Sequence, residues 1–216
     1  MWELFVRSWP FLVEGLVVTV VLGVTSFVLG SLLGLALALA RLSSLRVLRY
    51  LALAYVSVFR GTPMLVQILL IYFGLPQVGI TLDPIPSAII ALSLNVASYQ
   101  SENFRSGILG VDRGQREAAL SLGMTYWQAL RRIIFPQALR IAAPTISNRF
   151  IAIMKDTSLA SVVTVVELTR VAERIGSSTF RYMEMFIIIA IIYWVINGVL
   201  LIGQGALERR LERAYA

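Results

Sequence analysis

The chain has neither cysteine nor histidine. The missing thiols exclude disulfides and thiol nucleophiles, and the two absences together remove the usual transition-metal ligands. Without histidine, the side chain that most often moves protons near neutral pH is also gone. Lysine occurs once, as Lys155, among 19 basic residues. There is no GxxxxGK[ST] loop, so no phosphate-cradling nucleotide site of that kind. A catalytic apparatus would have to be a Ser–Lys pair or paired acids. Lys155 and Ser158 are close in sequence, but nothing orients them or places oxyanion donors around them. No catalytic site is expected.

Charge is scarce at 14%, against about a quarter in soluble domains. Apolar residues make up 58% of the 216 and gather in long runs. A helix crossing lipid needs about 20 mostly apolar residues, so the chain reads as one membrane domain over 1–216 with about five spans. The net charge of +7 is read as a topology signal, not as a nucleic-acid surface. The first apolar run exceeds the roughly 7–15 residues of a signal-peptide core and is read as a retained span.

The first span covers about 11–40 with a single charge, Glu14, and contains the close-packing spacing Gly30-x-x-x-Gly34. The second, about 50–75, is broken by Arg60-Gly61-Thr62-Pro63, because proline lacks a donor and disfavours helix at the residue before it. Broken helix at membrane depth is tolerated where it is buried or lines a cavity. The third, about 87–107, is polar in its second half, from Asn95 to Asn103. The fourth covers about 140–166, and the last, 185–207, is clean. Arginines crowd the segments 41–49, 105–132 and 208–216, whereas 76–86 has none and 167–184 is mixed in sign. That alternation predicts an all-α protein with its N-terminus outside and its C-terminus cytoplasmic.

The segment 110–136 has unusual local order. Asp112 is a good N-cap, with Gln115 spaced for a capping box and a helix expected over 113–122. Gly123 is placed to end it in left-handed geometry. Thr125 and Gln128 have the spacing of a second capping box. Trp127, Leu130 and Ile134 are expected on one face, and Pro136 interrupts the hydrogen bonding. Ala118 and Ala119 keep the first helix slim, while Arg116 and Glu117 give it charges for orientation. A helix, glycine break and second helix with no span of their own suit a docking element; the alternative is an amphipathic helix on the membrane surface.

Glu117-Ala118-Ala119, Gly123, Ile133 and Phe135-Pro136 stand at the spacing of the EAA loop, with phenylalanine in place of its leucine. Residues 59–67, FRGTPMLVQ, resemble FRGTPLLVQ of polar amino-acid permeases; Ser98-Tyr99-Gln100-Ser101-Glu102 resembles their AYxAE, with serine at both alanine places. Lys155-Asp156-Thr157-Ser158-Leu159 and Glu167-Leu168 resemble further positions. Over about 15–210 the chain thus resembles ABC importer permeases of the polar amino-acid uptake family. The resemblance implies a type I permease in a bacterial cell (inner) membrane, surrounded by lipid and paired with a second copy or a homologous permease. An ATPase would dock on the 112–136 loop, and an extracytoplasmic amino-acid-binding protein would deliver cargo. It implies no cofactor on this chain, with ATP and Mg bound by the ATPase, and alternating access as the mechanism. The competing class is an ion-coupled secondary carrier or small channel, which needs no ATPase dock.

A zwitterionic substrate needs both charges met inside the membrane. Intramembrane polar candidates for the pathway are Gln67, Asn95, Glu102, Lys155, Asp156 and Glu167, with Arg149 beside them. Arg60, Gly61, Thr62 and Pro63 are expected to support the broken helix. If Glu102, Asp156 or Glu167 makes the pathway acidic, a basic amino acid fits as cargo.

Overall fold

The computed structural model describes residues 1–213, and every regular element among them is helical. The end of the basic tail expected on the cytoplasmic side, 214–216, lies outside the described residues. Helix α1 is Trp2–Leu42 and α2 is Arg46–Gly61; α3, Met64–Leu69, continues through a π turn (Leu70–Gly74) and a 3-10 turn (Leu75–Val78). Helix α4 is Pro84–Gly110, α5 Arg113–Ser121 and α6 Tyr126–Ala129; a π turn (Leu130–Ile134) leads into α7, Phe135–Asp156. A 3-10 segment (Thr157–Val163) precedes α8 (Leu168–Thr179) and α9 (Tyr182–Arg213).

Helices α1 and α9 are each long and apolar enough to cross a membrane. The second expected span is a helix pair bent by 107° where α2 meets α3. Helices α4 and α7, at 27 and 22 residues, are about 40 and 33 Å long, but polar side chains dilute their hydropathy. The fourth expected span is displaced: α7 starts at Phe135 and ends at Asp156, and the chain then tightens into the 3-10 segment. Pro136 does not stop the helix. Its missing N–H and its ring fall where the preceding turn widens into a π turn, so α6 runs on into α7.

The most extensive packing is α1 against α4. In lipid there is little hydrophobic force between helices, so close backbone approach carries the association. A Cβ on Gly30 would stand 2.6 Å from the Val96 side chain and 2.7 Å from the Ser93 carbonyl; on Gly34 it would stand 2.7 Å from the Gln100 Cβ. The GxxxG spacing therefore works as a helix crossing. The central apolar cluster joins Leu22 of α1, Ile68 of α3, Leu92 and Val96 of α4, Ile153 of α7 and Val163. A second cluster, Ile108, Val111, Leu130, Ile134 and Ala138, ties the π turn after α6 to the ends of α4 and α7.

Candidate functional site

Pro63 stands four residues after Phe59, so the Phe59 carbonyl loses its helical donor. Gln67, one turn into α3 and 5% exposed, supplies the replacement. Its Nε2 donates to the Phe59 carbonyl (2.9 Å), the Thr62 carbonyl (3.1 Å) and Thr62 Oγ1 (2.8 Å). Asn95 of α4, equally buried, donates Nδ2 to Gln67 Oε1 (2.9 Å) and to the Phe59 carbonyl (3.3 Å). Arg149 of α7 donates Nη2 to Asn95 Oδ1 (2.9 Å), and its Nη1 pairs with Asp156 Oδ2 (3.1 Å) two turns on. One continuous relay thus runs from the α2–α3 break through α4 to α7. Tyr99, one turn beyond Asn95, is its platform: the Arg149 guanidinium lies 4.6 Å from the ring centroid and that of Arg60 5.2 Å. Thr62 is held by its hydroxyl donating to the Val58 carbonyl (2.8 Å), and Gly61 and Pro63 are exposed at the bend.

Of the expected pathway residues, Gln67, Asn95 and Asp156 are brought together, with Arg60 at the edge. Glu102 lies elsewhere on α4, bridging Arg41 of α1 (2.8 Å) and Arg105. Both serines of the SYQSE segment are fully buried: Ser98 Oγ donates to the Asn95 carbonyl (2.7 Å), and Ser101 Oγ accepts from Arg41 (3.3 Å). Lys155 is exposed and forms no ion pair among the described residues; the structure offers no reason for lysine there. Glu167 does not join the relay. It is the N-cap of α8, fully buried, accepting from the Thr169 and Arg170 backbone N–H groups (both 2.8 Å) and from the Tyr193 hydroxyl (3.1 Å). Burial pushes its carboxyl above the ordinary value, and those donors oppose the shift. Sequence reading overlooked Tyr99 as a platform and Arg41 as the partner of Glu102. Tyr99 carried a signal, sitting four residues after Asn95 on the same helix face.

The 112–136 segment folds as two short helices outside the bundle. Asp112 caps α5 through Gly114 N–H (2.8 Å), not through a box with Gln115. The Gln115 side chain instead accepts from Gln137 (3.3 Å), linking α5 to α7. Gly123 has φ +79°, a left-handed turn open to glycine, and the Thr125–Gln128 capping box is formed. Glu117 and Ala118 are exposed, Arg116 half-buried within 6.0 Å of the Tyr126 ring centroid, and Ala119 buried against the scaffold. Leu130 and Ile134 are buried, but Trp127 does not share their face: it is 64% exposed, because the widened π turn breaks the 3.6-residue period between them. Leu122, at 81%, and Trp127 therefore leave exposed apolar side chains on the same segment as Glu117.

The family model "Binding-protein-dependent transport system inner membrane component" matches residues 30–213. The L-cystine transport system permease protein TcyB of Bacillus subtilis (strain 168) is 46% identical over 217 residues, covering 100% of this chain and 93% of its own. The arginine transport system permease protein ArtQ of the same strain is 39% identical over 204 residues, covering 94% and 93%. The crystal structure of "an amino acid ABC transporter with histidines" superposes with TM-score 0.90 at 41% identity, covering 95% of this chain and 96% of that one. The inward-facing MetNI methionine ABC transporter, at 21% identity and TM-score 0.72, shares the fold. The expected all-α, type I importer-like architecture thus agrees with the solved structures, and by the matched family model and these full-length relatives the chain belongs to the binding-protein-dependent transport system inner membrane components.

Proposed function

We propose that this permease of an amino-acid ABC importer works by alternating access, driven by an ATPase docked on the 112–136 loop. The observation that carries the reading is continuity. Helix α6 passes without a stop into α7, which bears Arg149 and Asp156, while α5 is tied to α7 through Gln115 and Gln137. Push on the exposed edge of Glu117, Ala118, Leu122 and Trp127, and the force reaches one wall of the polar relay. The partner ATPase holds ATP and Mg, and this chain needs no cofactor of its own. In this reading the chain crosses the membrane five times with its N-terminus outside, and the loop faces the cytoplasm of a bacterial cell. A second permease, identical or homologous, completes the pathway, and an extracytoplasmic binding protein delivers cargo at the other face.

Relatives named for cystine and arginine transport act on molecules that share an α-carboxylate and an α-ammonium. In this reading Arg60 and Arg149 meet the carboxylate and Asp156 the ammonium. Of the three acids considered for a basic cargo, Asp156 alone stands beside the relay, and Arg149 already pairs with it. Single changes Glu102→Gln, Asp156→Asn and Glu167→Gln, scored by uptake, separate them. Unaltered selectivity in all three removes the acidic-pathway idea.

The decisive experiment is copurification with the ATPase encoded nearby, comparing wild type with Glu117→Arg and Gly123→Leu. Loss of the complex with membrane insertion intact places the dock in this loop. If wild type captures no ATPase, or both variants bind as well, the secondary-carrier or channel reading takes over.

A further inference from the structure

We infer that Asn95 is a positioning residue for Arg149, and that the broken α2–α3 backbone dictates which atom Asn95 presents to it. This rests on the reading of Arg149 as the carboxylate partner of a transported amino acid. The Phe59 carbonyl is orphaned because Pro63 has no N–H to give it, and the Thr62 carbonyl lies at the same interruption. Carbonyls only accept. Gln67 must therefore turn its Nε2 toward them, as the 2.9 and 3.1 Å contacts require. Thr62 Oγ1 spends its own hydrogen on the Val58 carbonyl, so it too can only accept from Gln67. Gln67 Oε1 is then the atom left facing α4, and only a donor satisfies it. Asn95 supplies Nδ2 at 2.9 Å and shares it with the Phe59 carbonyl. Oδ1 is what remains of Asn95, and it points at Arg149 Nη2 from 2.9 Å.

A missing proline N–H on one helix thus reaches, through two amides, an arginine on another. The amide acceptor orients Arg149 without cancelling its charge. A carboxylate at the same place would neutralise the guanidinium and leave Gln67 Oε1 and the Phe59 carbonyl without the donor Asn95 gives them. Asn95 also spans two elements, so a change in the bend alters the hold on Arg149.

The test uses the copurified permease–ATPase complex in detergent, without the binding protein, so that affinity belongs to the membrane subunits. Equilibrium binding of radiolabelled L-arginine, L-cystine, L-glutamine and L-histidine is measured for wild type, Asn95→Leu, Asn95→Asp and Gln67→Leu, alongside basal ATPase rate. Wild type is expected to bind at least one of the four. Each variant should weaken that binding about tenfold or more. Asn95→Asp keeps the size of the side chain but replaces the Nδ2 donor to Gln67 with an acceptor, so it breaks the chain of orientation and carries the test even if the leucine variants fail to assemble. Wild-type affinity in Asn95→Asp, or a loss of ATP turnover without a change in affinity in Asn95→Leu, overturns the inference. Absence of binding by wild type overturns the carboxylate reading beneath it as well.

Discussion

Helix α4 carries two arginine-rich clusters about two turns apart. Around Glu102, a single carboxylate takes up both neighbouring cations, Arg41 from α1 and Arg105 from its own helix. Around Asn95, the carboxylate of Asp156 takes up Arg149 only, and Arg60 rests on the Tyr99 ring with no carboxylate partner among the described residues. The first cluster lies on the seam where Gly30 and Gly34 bring α1 and α4 together, so its charges are fixed by a tight crossing. The second joins a bent helix pair, α4 and the helix continuous with the 112–136 loop. Charged clusters of similar composition are therefore built differently: one carboxylate takes up two cations on a tight crossing, whereas the other leaves Arg60 without a carboxylate partner among the described residues.

Arg149→Ala should have the largest effect, weakening amino-acid binding to the permease–ATPase complex about 100-fold, roughly 3 kcal/mol; binding within a few-fold of wild type would end the carboxylate assignment. Glu167→Ala comes next. It strips a buried cap of three donors and should cost about 2 kcal/mol in the thermal unfolding of the complex, with amino-acid affinity unchanged. A change in affinity instead would return Glu167 to the pathway. Glu102→Gln leaves two arginines with a weaker shared acceptor; its partial exposure limits the loss to about 1–2 kcal/mol of stability, again without a binding defect. The smallest effect is expected from Arg60→Ala, which removes a ring-supported, exposed cation and should weaken binding about fivefold, near 1 kcal/mol. If Glu102→Gln impairs binding more than Arg60→Ala, the roles of the two clusters are reversed.

Local signals were legible wherever they depend on neighbours in the chain. Thr125 and Gln128 are three residues apart, so their spacing alone was enough to predict the capping box. Gly123 marked a left-handed turn for the same reason. The break at Gly61-Thr62-Pro63 followed from the proline itself. Where two local signals compete, spacing was less informative. Asp112 found Gly114 N–H within reach, leaving Gln115 to contact α7, and the π turn before Pro136 moved Trp127 off the face of Leu130 and Ile134. Glu167 followed the same logic: a helix N-cap and a pathway acid are the same letter in a sequence, and burial with three donors distinguishes them.

Composition and periodicity by themselves determined that this is a helical membrane protein with a capped helix, a glycine turn and a second capped helix between two of its long helices, because hydropathy and capping are sums over adjacent residues. Only the tertiary structure decided that Asn95 meets Arg149 across 54 residues and that Arg41 meets Glu102 across 61. Such pairs depend on which helix faces pack together, and in lipid that choice rests on the close fit of small residues and the satisfaction of stray polar groups, neither of which hydropathy records.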